Sequence, residues 1–141
     1  NPPVDWVSWL RQVLDGGGWG SATGWRIVEP NFLDRAEREA VRLQAPRGVL
    51  AAFAFIGALE ARDWAALIPE SEILATESAE GRRWINPSVV LDSGVLARIF
   101  QGETEAARDF YLRLEPLSGR RPVDFRSRLI RAHLDRALSL R

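Results

Sequence analysis

The chain has 141 residues, of which 46% are hydrophobic and 27% charged, and these values are typical of one globular domain with a buried core. It contains no cysteine and a single histidine, His133, which excludes disulfides, thiolate chemistry and multi-histidine metal sites within the chain. All nineteen basic residues are arginine, so a lysine Schiff base and the lysine of a phosphate-binding loop are excluded as well. We expect no metal and no cofactor.

The formal net charge is zero, but charge is unevenly distributed along the sequence. Residues 117–141 contain seven arginines and two aspartates, a net charge of +5, whereas residues 63–80 contain five acidic residues and no arginine. We expect the acidic and basic segments to neutralise each other within the fold.

Composition also predicts where the protein works. The longest apolar run, residues 48–59, is about half as long as a membrane-spanning helix. The amino-terminal sequence lacks the basic and apolar regions of a secretory signal. We therefore expect a soluble, cytoplasmic protein that does not enter a membrane, and the bias towards Arg, Ala, Leu and Gly is typical of a GC-rich bacterial genome.

The first helix is predicted over residues 4–14, where apolar side chains recur at helical spacing. It ends at a glycine-rich loop, residues 15–24, since consecutive glycines are costly in a helix. The stretch that begins at Trp25 is β-prone and indicates a short strand. Asn31 then caps a second helix that runs through Leu43.

The most apolar segment, residues 48–67, is predicted to be the core element, as one long helix or two short ones that Pro69 ends. An acidic stretch follows to Glu80, and Gly81 begins a break. Residues 89–91 are apolar and precede an Asp-Ser-Gly sequence, so they indicate either a short buried strand or the start of a helix.

Two further elements complete the prediction. Residues 95–100 and 103–114 form a helical hairpin around Gly102, and Pro122 opens a basic carboxy-terminal helix over residues 122–140. The apolar members of this last helix include Phe125, Leu129, Ala132, Leu134 and Leu138, and its polar side carries Arg128, Arg131 and Asp135. We therefore predict one mainly α-helical domain over residues 1–141, a compact bundle of about six helices to which the pattern adds one or two short strands, near Trp25 and Val89.

Two short sequences recur at an offset of 46 residues: residues 48–51 match residues 94–97, and residues 61–64 match residues 107–110. This echo indicates a helical repeat, a duplicated helix pair whose copies bury a shared core by stacking.

The second copy has a small residue at its turn, Gly102, followed five positions later by Ala107 and then by the aromatic pair Phe110 and Tyr111. In these features residues 96–116 resemble the helix-turn-helix of tetratricopeptide repeats. The resemblance implies a surface that binds peptides or proteins.

Asp92 follows three apolar residues and precedes Ser93, Gly94 and a further apolar pair. In this pattern residues 89–103 resemble the opening strand and helix of PIN-type ribonucleases, in which an aspartate ends the first strand. The resemblance implies a divalent cation, Mg²⁺ or Mn²⁺, that Asp92 helps to bind and that activates water for phosphodiester cleavage. The alternative interpretation is that Asp92 is a helix cap or a turn residue.

Arg128 and His133 lie five residues apart in the last predicted helix. This spacing resembles the active motif of HEPN-type ribonucleases, in which a histidine and an arginine from paired subunits cleave RNA without a metal. The alternative is a histidine with no catalytic role. Arg126, Arg128 and Arg131 can also hold nucleic-acid phosphates along one side of the helix.

No constellation of reactive side chains in the sequence requires a catalytic role. We therefore predict a non-catalytic protein-interaction or accessory module of a bacterial assembly, with another protein or a second copy of the chain as its partner. Because tryptophan and arginine are favoured as interface anchors, the predicted binding residues are Trp19, Trp25, Trp84, Arg126, Arg128 and Arg131. The alternative is a small ribonuclease or nucleic-acid-binding protein that uses Arg128 with His133, or a metal at Asp92.

Overall fold

The computed structural model describes residues 4–16, 31–121 and 123–140. Within these ranges the chain forms seven α-helices and one 3₁₀ turn, and it forms no strand. The elements are α1 (Trp6–Gly16), α2 (Phe32–Arg42), α3 (Arg47–Ala61), α4 (Trp64–Ala79), α5 (Pro87–Phe100), α6 (Thr104–Leu114), the 3₁₀ turn (Glu115–Leu117) and α7 (Phe125–Ser139). The mainly α-helical fold is thus confirmed.

The two predicted strands have different outcomes. The stretch at Trp25, with most of the glycine-rich loop 15–24, lies outside the described residues. Val89 and its neighbours belong to α5, whose first residue is Pro87 and whose cap is Asn86. Asn86 accepts a hydrogen bond from the amide of Ser88, and a proline in the first turn is compatible with helix formation, so the segment starts a helix rather than a strand.

Four consecutive helices, α2 to α5, end in the same backbone turn, and these turns reverse the direction of the chain. Each is followed by a residue in the left-handed conformation, and the next amide donates to the carbonyl five residues before it at 2.8–2.9 Å. The left-handed residues after α2, α3, α4 and α5 are Gln44, Arg62, Gly81 and Gly102. The connections are short, so successive helices reverse direction and pack side by side.

The positions of the helices do not follow the offset of the sequence echo. The pair α3–α4 and the pair α5–α6 begin at Arg47 and Pro87, 40 residues apart, whereas the echo has an offset of 46. As a result Gly48 is the second residue of α3, but Gly94 is the eighth residue of α5. The echoed sequences therefore occupy non-equivalent positions in the two helix pairs.

One predicted helix end and one predicted cap were wrong. Pro69 does not end the core helix: it is the exposed sixth residue of α4, where its missing N–H costs the helix one backbone hydrogen bond but does not interrupt it. The break falls earlier, at the left-handed Arg62, and Asp63 then caps α4 by accepting a hydrogen bond from the amide of Ala66 at 3.1 Å. Asn31 does precede α2, but its side chain makes no capping hydrogen bond.

The core lies along α3, α4, α5 and α6, as the apolar segment 48–67 predicted. α1 joins it through Leu10, which is 1% exposed, and through the edge-to-face contact of Trp9 with Phe53. α7 packs against α5 and α6 with Ile130 and Leu134. Among the residues with described structure, every helix is too short or too polar to cross a bilayer.

Two glycines allow aromatic rings to lie directly on helix backbones. A Cβ atom at Gly94 would lie 2.4 Å from the nearest ring carbon of Phe110, and one at Gly48 would overlap the indole of Trp84. Gly57, in the middle of α3, has no atom within 4 Å of the same position. The first two glycines therefore serve helix packing, whereas Gly57 does not.

We expect Gly94→Ala to lower the free energy of unfolding by about 1–3 kcal/mol, because the new methyl group displaces the Phe110 ring. The matched control Gly57→Ala should raise it by about 0.5–1 kcal/mol, since alanine is the better helix former and the site is open. Urea denaturation of both variants checks this, and two shifts of the same sign would contradict it.

Candidate functional site

The first candidate site surrounds Asp92, in the middle of α5. The guanidinium of Arg120, from the segment between the 3₁₀ turn and α7, donates to both carboxylate oxygens of Asp92 at 3.0 and 2.8 Å. The two side chains are only 9% and 16% exposed. Arg126, at the start of α7, approaches the same carboxylate at 3.6 Å. Asp92 is therefore engaged by two arginines that come from the beginning of the carboxy-terminal region.

Glu115 extends this group, which we call the Asp92 cluster: Asp92, Tyr111, Glu115, Arg120 and Ser127. The hydroxyl of Ser127 donates to Glu115 at 3.2 Å, and Arg120 lies 3.8 Å from the other carboxylate oxygen. Burial raises the pKa of Tyr111, and the adjacent Glu115 carboxylate raises it further. The cluster joins α5, α6 and α7 at one place and thereby fixes where α7 starts.

The surroundings of Asp92 give no support to a metal. In the described ranges no three His, Asp or Glu side chains are grouped as metal ligands. Asp92 lies within a helix rather than after a strand, and both of its oxygens already accept hydrogen bonds from a guanidinium. A cation would have to compete with Arg120 for the same carboxylate.

A second buried charge, Arg98 of α5, was not found from the sequence. It is 2% exposed and donates to Ser71 of α4 at 3.0 Å, to the carbonyl of Gly94 at 2.9 Å and to Glu72 at 2.6 Å. Its guanidinium carbon also lies 3.9 Å from the ring centre of Phe110 in α6. Burial lowers the pKa of Arg98, and the Glu72 carboxylate opposes that effect.

These contacts change the expected pairing of the acidic and basic segments. Within residues 63–80, Glu72 binds Arg98 and Arg113, and Glu77 and Glu80 bind Arg82. Arg120 and Arg126 bind Asp92. In these pairs the acidic stretch is thus neutralised by arginines near it in the fold rather than by the basic carboxy-terminal segment.

Arg128 and His133 are both exposed on α7. Residues five apart in a helix point roughly 140° away from each other, since each residue turns the helix by about 100°. The two side chains therefore do not share one face within a chain, and a site that uses both would need one from each of two copies.

The tryptophans in the described part of the chain lie partly buried against the core. Trp19 and Trp25 lie outside the described residues. Trp84, the third predicted anchor, is partly buried against Gly48, and its indole nitrogen is buried without a hydrogen-bond partner. Trp6, Trp9 and Trp64 also pack partly buried against the core. The four described tryptophans therefore serve packing at least as much as contact with a partner.

Part of the exposed apolar surface lies on α7, where the prediction of a single apolar face was wrong. Ile130 and Leu134 face the core, but Phe125 and Leu129 are 69% and 44% exposed. Ala132 and Arg136 are also exposed, and Leu140 just beyond the helix is 74% exposed. We call these five residues the outer face of α7: Phe125, Leu129, Ala132, Arg136 and Leu140.

Charged side chains border this face on both sides. Arg126 and Arg128 lie roughly 70–90° to either side of its centre, as the helical rotation per residue requires. The side chain of Arg126 is 65% exposed, and Arg128 is exposed as well. Asp135 follows Arg128 on the same flank, two turns of helix along. The positions of Phe125, Leu129 and Ala132 carried this signal in the sequence, because at about 100° per residue they lie on a different side of the helix from Ile130 and Leu134.

Comparison with known proteins identifies no relative: the chain matches no family model, no curated protein and no solved structure.

We expect Asp92→Asn to lower the free energy of unfolding by about 1–3 kcal/mol, because it leaves the buried guanidinium of Arg120 with only the more distant carboxylate of Glu115, at 3.8 Å, as a charged partner. Asp109→Asn, at an exposed position of α6, should change it by less than about 0.5 kcal/mol. Thermal or urea denaturation measures both. Equal stability of Asp92→Asn and the wild type would show that the pair does not hold α7 in place.

Proposed function

We propose that the protein is a non-catalytic interaction module, an accessory component of a bacterial assembly in the cytoplasm, and that the outer face of α7 is its contact surface. Its partner is another protein or a second copy of the chain. The observation that carries the proposal is the exposure of Phe125 and Leu129, at 69% and 44%, on the face of α7 that Arg126 and Arg128 border. Aromatic and arginine side chains are enriched in protein interfaces. The centres of such interfaces are otherwise depleted of charged residues.

The buried charges support a structural rather than a catalytic role. Arg98 and Arg120 are each bound to carboxylates, and they connect helices to one another. A general acid or base must reach the substrate, whereas these two guanidinium groups are already bound to partners within the fold. His133 of α7 is exposed, and Arg128, its predicted catalytic partner, lies on a different face of the same helix.

A second candidate function is nucleic-acid binding by the same helix. Phe125 is exposed beside Arg126 and near Arg128, and an aromatic ring among arginines suits a base stacked next to its phosphate. Arg131 lies on the half-buried side of α7. The ribonuclease form of this alternative needs Arg128 and His133 from two copies, or a metal at Asp92.

The proposal is tested by the mass of the particle that contains this protein in its native host. We expect light scattering after size exclusion to give a mass above that of one chain. The double variant Phe125→Ser with Leu129→Ser should lose the added mass, because it removes the apolar anchors. The matched control Leu112→Ser, at a residue of α6 that is 62% exposed, should keep it.

Retention of the added mass by the double variant would contradict the proposed surface, and a free monomer in the native host would contradict the interaction role. Added mass that absorbs as nucleic acid and dissociates with salt would favour the second candidate instead. Both variants should unfold within about 0.5 kcal/mol of the wild type, since the substituted side chains are exposed.

A further inference from the structure

The outer face of α7 is nearly self-complementary. Its residues recur at intervals of four, three, four and four along the helix, and a seam between two packed helices has intervals of three and four. Ala132, the smallest of them, lies at the middle of the series. A small side chain at the centre allows two helices to approach closely, at the short end of the usual 8–10 Å separation.

Charge on the flank is arranged about the same centre. Arg128 lies four residues before Ala132 and Asp135 lies three residues after it, on the same side of the seam. Within one helix the two are about 10 Å apart along the axis, which is too far for an ion pair. In two helices that run antiparallel, the same flanks face each other, so each Arg128 meets the Asp135 of the other copy.

We propose that the partner of this face is a second copy of the chain, bound through an antiparallel, two-fold symmetric contact of the two α7 helices centred on Ala132. The inference rests on the proposed function, and it identifies the partner in that function as a second copy of the chain. Two Arg128–Asp135 ion pairs form, one at each end of the seam. Leu129 packs against the aliphatic part of Arg136 from the other copy, and Phe125 packs against Leu140.

The remaining charges are compatible with this contact. Arg126 lies on the opposite flank and is 3.6 Å from Asp92 of its own chain, so part of its charge is compensated before association. His133 lies on the same flank as Arg126 and faces His133 of the other copy. Arg136 belongs to the seam itself, where its long stem covers apolar surface while its guanidinium reaches solvent. The symmetric arrangement pairs one patch with itself and closes after two copies, as an isologous interface requires.

Charge exchange on the purified protein tests the inference. Sedimentation equilibrium over a concentration series should give a dimer for the wild type. Arg128→Asp and Asp135→Arg should each weaken it by about tenfold or more, because each places like charges opposite one another. The double exchange of both residues should restore dimerisation to within about threefold of the wild type, since it rebuilds the same two ion pairs in reverse.

The control is Asp109→Arg, a charge reversal of equal size on the exposed side of α6, which should leave the dimer unchanged. A wild type that is monomeric throughout, or a double exchange that dimerises no better than the single variants, would overturn the inference. Such a result on purified protein leaves the proposed function open to the native-host measurement. A monomeric protein in the native host would contradict the proposed function itself.

Discussion

A single buried guanidinium determines how three helices of this protein fit together. Arg98 of α5 donates to Ser71 and Glu72 of α4 and lies against Phe110 of α6. A buried charge without partners is costly, so the position of Arg98 is acceptable only when α4 and α6 are both in place. Gly94, one turn earlier, has no side chain and thereby leaves room for the Phe110 ring. The packing of α4, α5 and α6 is therefore a joint requirement rather than a sum of separate contacts.

The helical class and most of the turns could be predicted from the sequence, because they depend on local chemistry. Gly81 and Gly102 occupy left-handed positions that glycine tolerates without strain. Arg62 occupies such a position too, and no local rule predicts it, so the break between α3 and α4 was placed too late, at Pro69. The position of α7 relative to the bundle depends on Arg120 and Asp92, which are 28 residues apart in sequence. Contacts of that range are set by the tertiary structure and have no periodic signature.

The candidate site was predicted only in part for a related reason. Arg126 and Arg128 were expected to bind a partner and do border the outer face of α7, but Phe125 and Leu129 were placed in one apolar set with Leu134, which is buried. An apolar residue on an amphipathic helix signals burial, and only the neighbouring helices decide which of two apolar faces is covered. Arg98 was missed because an arginine is expected at the surface. Its place one turn after Gly94, on the buried face of α5, was the available signal.

The most direct test of this account compares two arginines that bind the same carboxylate. Arg98 and Arg113 both contact Glu72, but their side chains are 3% and 53% exposed. We expect Arg98→Ala to lower the free energy of unfolding in urea by about 3 kcal/mol or more, because it removes a buried, multiply bonded charge. Arg113→Ala should lower it by less than about 1 kcal/mol, as for an exposed ion pair. Equal losses from the two variants would contradict the central role of Arg98.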